Sequence, residues 1–250
     1  MTVDVLRAET DMACFVLVHG GGHGGWCYAK VAALLRAAGH DVYTPTLTGL
    51  GERKHLLTVD TDLSTHVADI VNTLVYEDLR DVLLVGHSYG GMVITGVADR
   101  APERIRELVY LDAAHPRDGE SLVDTAPQAM AFARASARIV DGVELAMWPT
   151  EEMIAAMGCH DPADVALLRA RMMPHPWKAF EERLRFVNGE AAARLPRTNV
   201  NCTASLQHSS PDDRARQCDG HRNVEIDTGH DLMITEPQRV ADILLDVAGS

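Results

Sequence analysis

Asp81-Val-Leu-Leu-Val-Gly-His-Ser-Tyr-Gly-Gly-Met92 is the stretch that decides the fold. Val82 to Val85 is an apolar run that stops at Gly86, and a helical pattern starts at Gly90. Between them, Gly86-His87-Ser88-Tyr89-Gly90 has the form G-x-S-x-G. Set between a strand and a helix, this pentapeptide makes a turn so tight that its serine takes a strained backbone conformation and bulky neighbours clash. The small residues at 86, 90 and 91 meet that demand. The N-terminal N–H groups of the following helix point at the serine and favour negative charge there. A glycine-rich turn without chemistry could carry the same letters, but here both flanks supply the strand and the helix that a nucleophile elbow needs.

Towards the N-terminus, Cys14-Phe-Val-Leu-Val18 is a continuous apolar run, as in a strand covered on both faces. It leads into His19-Gly-Gly-Gly-His-Gly-Gly-Trp26, whose five glycines let the backbone approach a ligand closely. Helical spacing of apolar residues predicts a helix from Trp26 to Ala38, stopped at Gly39. Asp41 to Pro45 reads as a short strand and Thr46 to Leu57 as a polar loop. Asp62 to Tyr76 reads as a helix capped by Asp62 or Ser64. Towards the C-terminus, the elbow helix runs to Arg100, and Leu108 to Leu111 is a fourth strand ending at Asp112. Asn199 to Thr203 and Val224 to Asp227 read as the fifth and sixth strands. A short helix at Pro211 to Cys218 separates them, and Glu236 to Val247 is a closing helix. Strands alternating with helices predict an α/β fold: a mostly parallel six-stranded sheet flanked by helices.

Ala113 to Arg194 breaks the alternation. It holds no convincing strand and reads as helical pieces over Ala126–Ile139, Glu151–Met157, Pro162–Met172 and Trp177–Phe186. Breaks fall at Gly142, Pro149, Gly158 and Pro174-His175-Pro176. The expected organisation is a core of residues 1–112 and 195–250 carrying an inserted helical cap or lid, residues 113–194. Six of the ten methionines fall in that insertion, which suits either ordinary helix packing or a flexible apolar pocket lining.

The 250 residues suit one such core with an insertion. A formal net charge of −13 argues against nucleic-acid or anionic-membrane partners, which want a basic patch. The five cysteines are odd in number and form no C-x-x-C, which fits a reduced, cytoplasmic setting better than a disulfide framework. Met1 to Met12 is polar and acidic, unlike a signal peptide. No apolar run approaches the roughly 18 residues of a membrane span. No His/Cys/Asp/Glu cluster has metal-ligand spacing, so no metal or other cofactor is expected. A homodimer is compatible with the sequence.

A serine hydroxyl is a poor nucleophile at neutral pH; it needs a base within reach, and the base needs an orienting acid. In an open α/β sheet reactive groups gather at the carboxyl ends of the strands. Ser88, Asp112 and His230 follow the third, fourth and sixth strands, so all three are expected on one edge of the sheet. The backbone N–H groups of Tyr89 and Gly21 can serve as donors to a developing oxyanion. The glycine loop lacks the Lys-Ser/Thr of a phosphate-binding P-loop, and its pattern is wrong for a dinucleotide fingerprint. Gly20, His23, Trp148, Met153 and Trp177 are the residues expected against substrate.

The stretches Phe15–Trp26 and Val85–Met92, the strand Val200-Asn-Cys-Thr203 and the turn Gly229-His230 carry a family resemblance. The chain resembles the α/β-hydrolase superfamily, within it the branch of plant methylesterases and hydroxynitrile lyases and their bacterial esterase relatives. The resemblance implies Ser88 as nucleophile, His230 as base, and Gly21 and Tyr89 as oxyanion donors. It also implies an acid three residues after the cysteine of the Cys-Thr strand, where this chain has Ser205. Serine cannot serve there, and Asp212 and Asp213 start a helix, which favours a capping role. Asp112 stands where the plant enzymes typically carry a small residue, so the acid is expected at Asp112, with Asp212 or Asp213 as the alternative. The lyases of the branch use Thr after the first His and Lys after the catalytic His; Gly20 and Asp231 stand here, against cyanohydrin cleavage. The resulting expectation is a carboxylesterase-type serine hydrolase acting on a small, apolar ester through an acyl-enzyme. A lyase or cyclase using His230 as base, and a small-molecule receptor on the same fold, are the alternatives.

Overall fold

Nine strands in two sheets order the described residues: β1 (Cys14–Val18), β2 (Asp41–Tyr43), β3 (Val82–His87), β4 (Ile105–Leu111), β5 (Arg138–Val140), β6 (Val143–Ala146), β7 (His175–Pro176), β8 (Arg197–Cys202) and β9 (Arg222–Ile226). The computed structural model describes residues 12–207 and 209–250. The stretch behind the signal-peptide expectation lies almost wholly outside them.

The larger sheet has the order β2-β1-β3-β4-β8-β9, and every adjacent pair is parallel. Successive strand residues point to opposite faces. In β1, Phe15 and Leu17 join the cluster formed with α1 (Ala29–Ala37) and the closing helix Pro237–Ala248. Val16 and Val18 join the opposite cluster, with α2 (Leu63–Tyr76) and α3 (Gly90–Arg100). With both faces covered, an apolar residue is favoured at every position, which explains the unbroken runs in β1 and β3. The register aligns His87 with Leu111, Leu111 with Val200, and Cys202 with Ile226. The residues that follow these strand ends therefore meet along one carboxyl edge.

The segment between β4 and β8 corrects the all-helical expectation. It holds a three-stranded antiparallel sheet, β5-β6-β7. β5 and β6 are joined by Asp141 (φ 49°) and Gly142 (φ 83°), both left-handed, as in a tight two-residue hairpin. Gly142 is thus a hairpin turn where the sequence suggested a helix break. All three β5 residues are exposed, so the strand shows no apolar/polar alternation, and β7 is only two residues long. The helices are correspondingly shorter: Pro127–Ala135, Glu151–Ala156, Pro162–Arg171 and Lys178–Glu181, with additional short ones at Leu122–Thr125 and Gly189–Ala193. Met130, Met157 and Met172 are buried, the plain packing role. The polar loop after β2 also winds into a short 3-10 helix, Gly51–Leu56.

Two buried or half-buried carboxylates fasten this segment to the core. Asp99, on α3, accepts the N–H groups of Val187 and Asn188 at 2.8 and 2.7 Å. Glu182 accepts the Ser64 N–H at 2.8 Å and its hydroxyl at 2.5 Å, at the start of α2. Among the described residues, no helix is long and apolar enough to cross a membrane.

Candidate active site

Ser88 lies between β3 and α3 with φ 54°, in the left-handed region. Its N–H donates to Leu111 O, and its carbonyl accepts from Gly91 N–H and Ala114 N–H. The turn closes tightly on itself: a Cβ at position 86 would stand 2.7 Å from Gly90 O, one at 90 2.7 Å from Val18 O, and one at 91 2.1 Å from Ala114 O. Only glycine fits at all three. Among the described residues the hydroxyl of Ser88 has no hydrogen-bond partner, and no bond joins it to His230; such contacts commonly tighten only when substrate is bound.

Asp112 follows β4, also with a left-handed φ of 45°. Its N–H donates to Val200 O at 2.7 Å. The His230 Nδ1–H donates to Asp112 Oδ2 at 2.6 Å, with the carboxylate side chain 2% exposed and the imidazole 30% exposed. The Cys202 N–H reaches Oδ1 at 3.0 Å and the Ser205 hydroxyl reaches Oδ2 at 2.5 Å. Burial alone would raise the Asp112 pKa; the bond and charge of His230, with the Ser205 and Cys202 donors, bring it below the usual carboxylate value. Burial alone would lower that of His230; the bond and charge of Asp112, with the charge of Asp231, leave it raised. Asp212 and Asp213 are engaged elsewhere: Asp212 pairs with Arg216 and Arg117, and Asp213 bonds Ser210 at its helix start.

Among the described residues, the N–H groups of Gly21 and Tyr89 find no acceptor. Around Gly21 the backbone is held by buried imidazoles. His19 Nδ1–H donates to Gly20 O (2.8 Å), while its Nε2 accepts the Leu47 N–H (3.1 Å). His23 places Nδ1 2.9 Å from Gly21 O and Nε2 3.2 Å from Asp231 Oδ2, within hydrogen-bond distance of both. His175 Nδ1 accepts the Gly22 N–H (3.2 Å). Burial, partly countered by its bond to Gly20, holds the His19 pKa down to about 3. His87 is likewise held down to about 3 by burial and the neighbouring His230; its Nε2–H donates to His230 O at 2.9 Å.

The residues expected against substrate are dispersed. Gly20 adjoins the nucleophile, since a Cβ there would stand 2.8 Å from Ser88 Cβ. Trp148 packs on the oxyanion loop: a Cβ at Gly21 would stand 2.5 Å from its ring. His23 is 1% exposed, with both ring nitrogens within hydrogen-bond distance of protein oxygens. Trp177 is 2% exposed and carries the Arg134 guanidinium 4.6 Å over its ring. Met153 packs against the cluster holding Ile154 and Met157, not that holding Trp148. Sequence reasoning missed Ser205, Asp231 and His175 as partners of this site. Isolated polar residues carry no spacing signal, and the only hint was that Ser205 occupies the acid position of the resembling family.

Among the described residues no three His, Cys, Asp or Glu side chains converge as metal ligands would. The alpha/beta hydrolase family model matches residues 15–243. A carbendazim hydrolyzing esterase of Nocardioides sp. is 40% identical over 247 residues, covering 93% of this chain and 98% of its own. Two solved structures share the fold. An extracellular alpha/beta-hydrolase from a Paenibacillus species has 24% identity and a TM-score of 0.77, covering 94% of this chain and 98% of its own. Tomato methylketone synthase I, complexed with 2-tridecanone, has 20% identity and a TM-score of 0.78, covering 95% and 98%.

Proposed function

This chain belongs to the alpha/beta hydrolase family, and we propose that it is a serine esterase cleaving a small, apolar carboxylic ester through an acyl-enzyme. Ser88 Oγ attacks the ester carbonyl while His230 Nε2 takes its proton. The Gly21 and Tyr89 N–H groups receive the oxyanion. Asp112 keeps the proton on His230 Nδ1 and stabilises the imidazolium. His230 then protonates the leaving alcohol, and in the second half of the cycle it deprotonates the water that releases the acid.

The observation that carries this reading is the 2.6 Å bond from His230 to a buried Asp112, on the sheet edge where the left-handed Ser88 stands. The unengaged N–H groups of Gly21 and Tyr89 support it. The segment 113–194 is read as a cap: Trp148 packs beside Gly21, and Met173 and His175 hydrogen-bond the backbone of Gly22. The five cysteines are free, which supports a reducing, cytoplasmic compartment.

The test is hydrolysis of nitrophenyl esters from acetate to octanoate, together with carbendazim, for which the 40% identical relative is named. An organophosphonate label located by mass spectrometry identifies the nucleophile. Hydrolysis with the label on Ser88 is expected. No turnover of any member, or a label on another residue, would overturn the reading and shift it to a receptor or a His230-dependent lyase.

Asp212→Asn is expected to leave kcat/KM within about twofold of wild type, because this carboxylate serves an exposed pair with Arg216 and Arg117. Steady-state rates on the best ester of the panel check this. A loss of orders of magnitude would return the acid to the far side of β8.

A further inference from the structure

Asp112 has more donors than a triad acid needs. One oxygen, Oδ2, accepts both the His230 Nδ1–H at 2.6 Å and the Ser205 hydroxyl at 2.5 Å. The other, Oδ1, accepts the Cys202 N–H at 3.0 Å. Cys202 ends β8 and Ser205 lies in the short helix Thr203–Leu206 that follows it, whereas Asp112 directly follows β4 and His230 comes from the loop after β9. Asp112 also sits at a φ of 45°, so its backbone alone does not favour this placement. Two strands therefore grip a carboxylate that belongs to a third.

We propose that Ser205 is a positioning residue: its hydroxyl fixes the Asp112 carboxylate and limits how strongly that carboxylate holds the His230 proton. The inference rests on the reading of Asp112 as the acid. A hydroxyl donating to Oδ2 withdraws charge from the very atom that faces the imidazole. Without it, Oδ2 carries more charge, the imidazolium is more stable, and His230 must reach a higher pH before it can act as a base. The hydroxyl thus trades some stabilisation of the imidazolium for a base that is free at lower pH, and for a fixed ring.

Other titratable groups face the pair. His230 also faces Asp231, whose carboxyl lies below its ordinary value despite burial, through His23, His87 and His230. His87 is held down to about 3, by burial first and then by His230. On the Asp112 side stand His115, held down to about 3 by burial and by Arg197 and Arg216, and the Cys202 thiol, pushed up by burial and by Asp112. The comparison of Ser205→Ala with Ser205→Thr, which leaves all these neighbours in place, therefore reads the Ser205–Asp112–His230 chain.

The experiment compares Ser205→Ala, Ser205→Thr and Asp112→Asn on one ester, reading kcat, KM and the pH profile of kcat/KM. Ser205→Ala is expected to lower kcat by about tenfold with KM within about twofold, the scale of one hydrogen bond to a charged group. Its acid limb is expected to move to higher pH. Ser205→Thr, which keeps the hydroxyl, is expected to restore both the rate and the limb. An unchanged rate and limb in Ser205→Ala, or a threonine variant as impaired as the alanine one, would overturn the proposal. If Asp112→Asn itself retains wild-type turnover, the acid reading fails. If Asp112→Asn loses turnover while Ser205→Ala matches wild type, only the role of Ser205 fails.

Discussion

Ser88→Ala should lower kcat/KM by roughly 10⁴- to 10⁶-fold while leaving the fold intact. The size of the loss follows from the proposed role of Ser88 Oγ as the atom that forms the acyl-enzyme. What remains is binding and the oxyanion donors, which alone accelerate hydrolysis modestly. The fold should be indifferent because the Ser88 hydroxyl makes no hydrogen bond within the protein, while its backbone N–H and carbonyl bonds to Leu111, Gly91 and Ala114 stay available to alanine. The strain at φ 54° is the same for both residues, since each carries a Cβ. Initial rates and thermal unfolding of the two proteins side by side check the prediction. Near-full activity in the variant would mean that His230 acts without a covalent partner, as in lyase or cyclase chemistry. An unfolded variant would mean that the elbow depends on a hydroxyl contact absent from the free structure.

Asp112→Asn should cost roughly 10⁴-fold in kcat near neutral pH. An amide has one acceptor oxygen where the carboxylate has two. Here three donors converge, from His230, Ser205 and the Cys202 N–H. The amide NH₂ would have to face one of them, and turning it towards His230 favours the tautomer protonated on Nε2, which cannot accept a proton from Ser88. The pH profile supplies a second reading. In wild type the Asp112 pair raises the His230 pKa against the opposing effect of burial. Activity that needs neutral His230 is therefore present above that raised value and lost as the pH falls through it. Asparagine removes the carboxylate charge, so the residual acid limb should move to lower pH, opposite to the shift expected for Ser205→Ala. A variant with wild-type rates would exclude Asp112 as the acid.

Much of the fold was legible because its signals are local. The G-x-S-x-G turn, the apolar runs of β1 and β3, and the break at Gly39 each depend on neighbours within a few residues. The carboxyl-edge placement of Ser88, Asp112 and His230 followed from topology, because a parallel sheet brings every strand end to one side. The β5–β6 hairpin was hidden for a physical reason. Arg138 to Val140 is exposed throughout, so no buried face imposed an alternating pattern, and the Asp141-Gly142 turn was the only available sign. The choice between Asp112 and Asp212 was likewise left to tertiary contacts, since which carboxylate meets an imidazole 118 residues further along has no local signature. His23 and Trp177, expected against substrate, stand 1% and 2% exposed, a degree of burial that no local pattern signals. His23 spends both ring nitrogens on Gly21 O and Asp231. Trp177 is covered by Arg134 and packs edge-on to Phe180.

The braces on the oxyanion loop come from distant parts of the chain. His23 reaches a carboxylate 208 residues later, and Gly22 is held by an imidazole 153 residues later. In the order of synthesis the loop therefore emerges first and is secured last. The cluster on the α2–α3 face of β1 and β3 draws on residues up to 195, whereas the opposite cluster includes the closing helix, and the Gly21 amide is braced only once residues 175 and 231 are both present. Its orientation waits for His175 to dock and for the turn after β9 to deliver Asp231, the residue next to His230. In the proposed mechanism the oxyanion donor and the base thus depend on the same late part of the chain, and a chain cut before β9 would lack both the Asp231 brace and His230.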